Sequence, residues 1–429
     1  MDSKDLFGEN TSLEQKIAAL AELDDDAVDE MISHAGIAQA KVCYDRLRWS
    51  ARLLQYSGKY NELMVKCLKY FNTSDTGNIV FSPYSILIIL TLMMGQTAGA
   101  TRQEIMDALG SDKTYERFFK MIHEMYRQCS EEQSVADENG ENKGGGTVTA
   151  ANALFVRKDI RDSLNPEYLK KTGSRQSLYT ELFCSDSHVS DINAWVKEKT
   201  KGMITEIADD SISEVLFSLV NAVAFEAAWE EEYDEEYIKE GKFTNLDGSV
   251  SWVQYLDSLE ETYIEDSLYT GFAKPYKGGE YSFVALLPRR KSAYALNRVI
   301  GSLDFNKIKS QMSFSNVDVR IPEFEGDFEE NLTGFMKELG VRTAFTPEAD
   351  YLPLSSERLK LESVIHKAHI EVDRQGTRAA AATMEICYAG EAPDFDEMKY
   401  VNLDRPFVYA IVHNKTGLPV FTGVVKKLY

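Results

Sequence analysis

The residues of this 429-residue chain that could perform chemistry carry no catalytic signature. None of the six histidines belongs to an HExxH zinc motif, and no phosphate-binding loop or dinucleotide glycine fingerprint is present. No nucleophile elbow marks a serine hydrolase, and the members of a Ser-His-Asp triad are too distant in sequence to leave a local mark. The sequence therefore predicts a protein that is not an enzyme, with no metal site and no cofactor.

Two polar residues lie on strand faces that are otherwise apolar. Asn221 shares a face with Leu219 and Val223, and His366 follows the apolar parity of its own strand. An unpaired buried polar group costs on the order of 1–3 kcal/mol. A lone histidine on an apolar face is usually a satisfied core residue rather than a catalytic one. Because a buried asparagine and a buried histidine each need a partner, we predict that the two side chains bond each other across neighbouring strands.

A run of small residues follows the strand that contains His366. The run reads Gly376, Thr377, Arg378, Ala379, Ala380, Ala381, Ala382, Thr383. Four alanines favour a helical turn by propensity, but about 30 residues without their own structure usually have a function in a compact domain. With a period of two, the odd-numbered residues from 377 to 383 share one face, and Arg378, Ala380 and Ala382 share the other. Such a segment is small enough to enter a sheet between two strands.

The elements around these residues are strands and helices without strict alternation. Ser82 and Pro83 predict a helix start, because a capping side chain precedes proline at the first helical position. Strands are predicted at 148–156, 215–225, 281–287, 318–321, 360–372 and 407–413, and helices at 61–71, 191–200 and 329–339. This order favours an α+β domain built on a large sheet.

Composition and charge exclude several classes of function. The net charge is −22, so nucleic acid is not an expected partner, since phosphate binding needs a basic surface. The longest apolar stretch, 86–94, is too short to span a membrane. Five scattered cysteines without a CxxC pair predict neither a disulfide framework nor a zinc cage.

A set of ordered segments resembles the serpin family. The segment VIHKAHIEVDRQGTRAAAAT at 364–383 is similar to the strand and hinge that carry the reactive loop of serpins. Further serpin-like segments lie at 78–85, 95–101, 192–200, 219–229, 274–278, 286–288, 321–324, 339–341, 349–350 and 405–407. The match covers about 58–429. It leaves an acidic, helical extension at 1–57 unexplained and makes the glycine-rich run at 137–146 a flexible surface insertion.

The resemblance implies a serpin fold with three β-sheets, about nine helices and an exposed reactive-centre loop. We use "reactive loop" for 376–405 and "hinge" for 376–383. A protease would cleave the loop and form an acyl-enzyme on its own nucleophile, and insertion of the loop into the main sheet would trap that intermediate. By resemblance, Ser82, Ser85, Asn221 and His366 form the shutter where the central strands part, and Trp229 lies at the breach where the loop first enters.

Two departures from the family pattern affect this mechanism. Arg374 and Arg378 stand where serpin hinges usually carry glutamate, and Arg378 falls on the outward parity. Glu385 continues the inward parity, where a buried carboxylate costs several kcal/mol unless it is paired or protonated. The small hinge residues favour an inhibitor. The alternative is a non-inhibitory serpin-fold carrier or chaperone.

The position of the cleaved bond follows from the length of the hinge. Serpins are typically cut about fifteen residues after the hinge glycine, which indicates the bond Gly390–Glu391, with Tyr388 and Ala389 as alternatives; counting back from Pro406 indicates Phe395 instead. No basic residue lies between Arg378 and Lys399, which disfavours a trypsin-like target. The expected partner is an elastase-like serine protease, with a chymotrypsin-like, glutamate-specific or cysteine protease as alternatives.

The family resemblance also sets expectations for assembly and location. The inhibitor is expected to be a monomer, and a secreted or cell-surface location is favoured. The polar start of the chain shows no signal peptide, so a cytoplasmic location stays open.

Overall fold

The fold places two strands that are far apart in sequence side by side at its centre. The computed structural model describes residues 38–73, 77–110, 122–123, 126–127, 146–174, 178–185, 188–209, 216–377 and 398–429, with the side chains of the first helix described at 53 and from 56 onward. Most of the predicted insertion at 137–146 and the reactive loop between 378 and 397 lie outside these residues.

The helices begin where the sequence supplies caps. Ser82 precedes the helix that starts at Pro83, and its hydroxyl accepts a hydrogen bond from the backbone N–H of Ser85, as predicted. The α-helices of the described residues are α1 (Ala38–Phe71), α2 (Pro83–Gln96), α3 (Gly99–Leu109), α4 (Pro166–Leu169), α5 (His188–Lys199), α6 (Ala293–Gly301), α7 (Phe305–Gln311) and α8 (Thr333–Glu338). Each helix of the described chain is too short or too polar to cross a bilayer.

The strands are interspersed with these helices without strict alternation. They are β1 (Ile79–Phe81), β2 (Thr147–Arg157), β3 (Glu181–Ser185), β4 (Phe217–Ala228), β5 (Ile238–Thr244), β6 (Val250–Glu265), β7 (Tyr269–Pro275), β8 (Tyr281–Pro288), β9 (Met312–Pro322), β10 (Phe324–Asn331), β11 (Ser363–Val372), β12 (Gly376–Thr377), β13 (Lys399–Asn402), β14 (Phe407–His413) and β15 (Leu418–Val425). One sheet has the order β10-β11-β12-β4-β2-β3.

The other strands form a nine-stranded set in which β6 pairs with three strands. Its first half pairs with β5 and its second half with β7, while β9 follows both halves across a register shift near Glu260. Divided at this point, the set forms one sheet of β1, β15, β14, β8 and β7 and a second of β5, β6, β9 and β13. Together with the six-stranded sheet, this gives the three sheets that the serpin resemblance implies.

One predicted helix was partly wrong. We expected a helix over 329–339, but Glu329 to Asn331 belong to strand β10 and the helix starts at Thr333. The physical reason is pairing: β10 runs antiparallel to β11 from Phe324–Val372 to Asn331–Ile365. These backbone hydrogen bonds outweigh the weak helical preference of a few exposed residues.

The N-terminal boundary is described by two observations. Helix α1 runs without a break across the predicted boundary at 57/58. Contacts divide the chain into Met1–Glu62 and Leu63–Tyr429. The features discussed below belong to the second unit, and the division into an extension at 1–57 and a serpin domain at 58–429 stays a prediction.

Candidate functional site

The site is the opening between β4 and β11, where a third strand has begun to enter. The two strands pair in parallel from Ser218–Ser363 to Val223–Ala368. Above this point the short strand β12 lies between them, with Gly376 opposite Ala228 and Thr377 opposite Ala227. Thr377 also pairs with Val372 of β11. The hinge therefore occupies the first two positions of a strand that could lengthen downward.

The residue types at these two positions suit a crowded strand entry. A Cβ on Gly376, whose φ is 155°, would collide with the carbonyl oxygen of Ala227, so only glycine fits without displacing β4. Thr377 is 1% exposed, and its hydroxyl lies 2.6 Å from the hydroxyl of Tyr276. A small polar side chain is thus buried and hydrogen-bonded at the start of the opening.

Trp229 fixes the segment that precedes the hinge. Its indole Nε1 donates to the carbonyl of Asp373 at 2.9 Å, and its backbone N–H donates to the carbonyl of Gln375 at 3.0 Å. Its ring stacks on that of Tyr276, with 4.6 Å between ring centroids. Trp229 therefore contacts both the turn before β12 and the tyrosine that holds Thr377.

A buried ion pair also contacts the indole of Trp229. Lys274 Nζ donates to Glu260 Oε1 at 2.7 Å, both side chains being 7% exposed, and it lies 5.4 Å from the ring centroid of Trp229. Burial opposes the charged ammonium, but Glu260 keeps the pKa of Lys274 above its usual value. The cation is thus available to the aromatic face.

His366 and Asn221 meet where β4 and β11 are still paired. They lie directly opposite in register, and His366 Nδ1 donates to Asn221 Oδ1 at 3.3 Å, so the predicted contact is present. The amide of Asn221 in turn donates to Asn152 Oδ1 at 2.8 Å. His366 is fully buried, and its Nε2 has no hydrogen-bond partner among the described residues. Desolvation lowers the pKa of His366 to about 3, so the ring is neutral.

The chain is similar to proteins of one known family. The family model described as "Serpin (serine protease inhibitor)" matches residues 59–428. This chain belongs to the serpin family. A curated serpin relative, Serpin-ZX of Arabidopsis thaliana, is 27% identical over 395 residues, covering 85% of this chain and 96% of the relative. Leukocyte elastase inhibitor A of Mus musculus is 29% identical over 376 residues, covering 82% and 94%.

Solved serpin structures show the same fold. Tengpin, a thermophilic serpin, in its native state aligns with a TM-score of 0.72 and 29% identity over 87% of this chain and 94% of that chain. A thyroxine-binding globulin complexed with thyroxine aligns with a TM-score of 0.70 at 22% identity, over 87% and 98%, and shows the fold alone. The serpin fold with three sheets is therefore confirmed.

The other two predicted shutter residues lie at the start of helix α2, Ser82 as its N-cap and Ser85 in its first turn. Ser82 Oγ donates to the carbonyl of Val420 at 2.7 Å and caps the helix, whereas the hydroxyl of Ser85 is buried without a hydrogen-bond partner among the described residues. Among the described residues, neither serine is hydrogen-bonded to His366. The shutter role of the four residues stays a prediction.

The outer face of β4 is covered by helix α5. Val220 and Ala222 belong to a buried cluster with Ile192, Trp195 and Val196 of that helix. A strand that entered beside β4 would pass under α5. The even-numbered hinge residues would therefore need small side chains.

The structure identifies supporting residues that the sequence did not. Tyr276 and Asn152 contact Thr377 and Asn221, but their distance along the chain hides both contacts. The serpin-like segment at 274–278 contains Tyr276 and is the one sequence signal that points to it. The remaining hinge residues Arg378, Ala379, Ala380, Ala381, Ala382 and Thr383, the candidate bond residues Tyr388, Ala389, Gly390 and Glu391, and Glu385 and Phe395 lie outside the described residues.

Proposed function

We propose that this serpin inhibits a serine protease by a suicide-substrate mechanism. A target protease cleaves the reactive loop and becomes acylated on its nucleophile. The hinge then extends β12 downward between β4 and β11 and carries the protease with it, before the acyl bond can be hydrolysed. The observation that carries the proposal is the position of Gly376 and Thr377, which already pair with β4 at the open end.

The register of β12 defines the inserted strand. Continued along β4, it brings Ala381 opposite Val223 and Thr383 opposite Asn221. Val223 and Asn221 are now paired with Ala368 and His366, so insertion must separate the six paired positions between Ser218 and Val223. The contact between His366 and Asn221 lies within this segment and acts as a latch in the proposed mechanism.

The same register accounts for the unusual arginine in the hinge. Arg378 would lie opposite Glu226, which is partly exposed and 3.4 Å from Lys201. A cross-strand pair of opposite charge stabilises a sheet by roughly 0.2–1 kcal/mol. The arginine therefore complements its proposed neighbour in the inserted state.

The alanines suit the space under α5. Ala380 and Ala382 would lie opposite Ala224 and Ala222, on the face of β4 that the helix covers. Larger side chains would have to displace the helix, since packed interiors leave few voids. Glu385 would lie opposite Leu219, which is fully buried, and it sets a limit on how deeply the loop inserts without protonation of the carboxylate.

The proposed target is elastase-like, and the proposed cleaved bond is Gly390–Glu391. Support comes from the small residues Ala389 and Gly390 and from the lack of lysine or arginine between Arg378 and Lys399. We further propose that the inhibitor is a monomer without enzymatic activity. We propose that it is secreted or lies at the cell surface. Fractionation of the natural source tests the location.

A protease panel tests the function. The full chain is incubated with pancreatic elastase, chymotrypsin, trypsin and papain, and the products are separated in boiling detergent. An inhibitor gives a covalent complex, whereas a carrier gives only a clipped chain. Mass spectrometry of the released C-terminal fragment locates the bond, and a new terminus outside 388–392 would refute the count from the hinge.

A cavity supports a second candidate, the carrier. It measures about 620 Å³, within the range of small-molecule sites, and its described lining includes Asn72, Asn297 and Lys426. Lys426 is 3% exposed, and burial lowers the pKa of its ammonium. The described lining also holds Lys427 and Asp247, which pair with each other at 3.5 Å, so the remaining cation, Lys426, suits a ligand with an acidic group. Clipping without a covalent complex across the panel, together with saturable binding of an aromatic carboxylic acid, would favour the carrier.

A further inference from the structure

In the sheet that contains β6, β9 and β13, buried and exposed residues alternate, so one face is directed to water. This exposed face nevertheless carries several large apolar side chains. On β9, Val317, Val319 and Ile321 are fully buried, whereas Asp318 between them is exposed. This alternation is typical of a sheet with one face on the core and one in water. Exposed apolar side chains grouped on the water-facing side indicate a contact surface.

Two of the exposed apolar residues lie in one row across the strands, and two others lie just before β13 and along β9. Leu259 of β6 and Tyr400 of β13 both pair with Asp318, so they flank it on the same face. Leu259 is 61% exposed and Tyr400 is 70% exposed. Met398 precedes Tyr400 by two residues, and exposed Phe314 lies farther along β9. We call Leu259, Asp318, Met398 and Tyr400 the β9 face.

The β9 face and its surroundings carry negative charge. Asp318 has no ionic partner among the described residues, and Glu261 is exposed two residues beyond Leu259. In the neighbouring row, Asp257 is neutralised by Arg320 at 2.9 Å. A complementary partner therefore offers apolar contact beside a basic group.

The place where the reactive loop ends indicates which partner would contact the β9 face. The segment 378–397 lies outside the described residues, and the chain returns at Met398, on the β9 face itself. From Glu391 to Met398 the chain can span at most about 25 Å, whereas a protease domain of about 200 residues measures roughly 40 Å across. A protease that holds the bond Gly390–Glu391 therefore comes within reach of this face.

We propose that the β9 face is a second docking surface for the target protease, with Leu259 and Tyr400 as apolar anchors and Asp318 as the acceptor for a basic residue. This inference rests on the proposed inhibitory function. The face acts during encounter, before cleavage, so it sets the rate of complex formation. It does not affect the competition between insertion and hydrolysis, which depends on β4 and β11.

The test compares matched pairs of substitutions on the full chain, with pancreatic elastase as the probe. The variant Leu259→Ser with Tyr400→Ser removes the anchors. The control Leu352→Ser with Tyr294→Ser removes the same residue types from other exposed positions, 65% and 73% exposed. We expect the second-order rate constant of inhibition to fall roughly tenfold for the first pair only. The stoichiometry of inhibition and the melting temperature should match those of the parent.

The role of the negative charge on Asp318 is tested separately. Asp318→Asn should lower the rate about two- to fivefold at low salt, and the difference should shrink as ionic strength rises.

Each other outcome has a distinct meaning. If complex forms at the parental rate in the anchor variant, the docking surface is refuted while the inhibitory function stands. If the parent is a dimer and the anchor variant a monomer by size exclusion, a second copy occupies the face and the inference is wrong. If no protease of the panel forms a covalent complex with the parent, the proposed function fails and the inference fails with it.

Discussion

Thr377 lies between β4 and β11, at the end where these two strands no longer pair with each other. Its 1% exposure and its contact with Tyr276 leave room for a methyl and a hydroxyl but not for a charge. We expect Thr377→Arg to convert the inhibitor into a substrate, because a guanidinium does not fit the buried position between β4 and β11 and would keep the hinge out of the sheet. Gel analysis after incubation with elastase should show cleavage without covalent complex.

Thr377→Ser is the matched control, since it keeps the hydroxyl that faces Tyr276. It should form complex as the parent does. Undiminished complex formation by the arginine variant would contradict the assignment of the hinge.

The neutral ring of His366 makes the native state sensitive to acid. Its pKa is about 3 in the fold, below the ordinary value near 6.5, so the unfolded chain binds the proton more tightly between these values. Stability from this group is therefore present above pH 6.5 and is lost as the pH falls towards 3. Between pH 7 and pH 5 the loss is roughly 2 kcal/mol.

Urea unfolding at pH 7 and pH 5 measures this loss. We expect His366→Gln to reduce the shift in midpoint between the two pH values. His413 is a second buried histidine, with a pKa lowered to about 4 chiefly by burial, so His413→Gln should remove a similar and separate part. Equal shifts for the parent and the His366 variant would show that the ring is not buried in the neutral form.

At the scale of elements, the register of β12 against β4 predicts a specific cross-strand pair. Arg378→Glu would place a like charge opposite Glu226 in the inserted strand and slow insertion. A loss of about 1 kcal/mol should raise the stoichiometry of inhibition severalfold. Adding Glu226→Arg restores the opposite charges and should restore the stoichiometry. Additive effects of the two substitutions in titrations of elastase would refute this register.

The sequence reveals elements more readily than their pairing. Strand β14 was predicted at its observed bounds, and β4 and β11 within a few residues, because their apolar residues form long runs. The end of β10 was missed because Glu329 to Asn331 are polar and only their pairing with β11 makes them a strand.

Contacts within the site divide in the same way. Strand parity was sufficient to predict that Asn221 meets His366. Asn152 and Tyr276 could not be predicted, because nothing local links them to the residues they contact. Their partners follow only from the order of strands in the folded sheet.

At the scale of the molecule, the open end between β4 and β11 leaves strand pairing unmade. In the proposed mechanism, cleavage of the reactive loop would free its N-terminal arm to make these hydrogen bonds, each contributing about 1 kcal/mol. We expect the clipped protein to melt at least about 10 °C above the intact protein. Differential scanning calorimetry of both forms measures the difference, and equal melting temperatures would show that the loop does not insert.

We expect Glu385 to limit this gain. Glu385→Ala removes the carboxylate that would lie opposite buried Leu219, so the clipped variant should melt above the clipped parent while the intact forms melt together. An equal gain in both clipped forms would mean that insertion stops before this position.

The stacking of Trp229 on Tyr276 provides an optical reporter of the mechanism. The chain has four tryptophans, and two of them border the path of the incoming strand: Trp229 beside Thr377, and Trp195 in the cluster under α5. Movement of the hinge changes the surroundings of the first indole, and passage under the helix changes those of the second. Stopped-flow fluorescence of Trp229→Phe and Trp195→Phe variants can therefore time the two ends of insertion separately, without any attached dye.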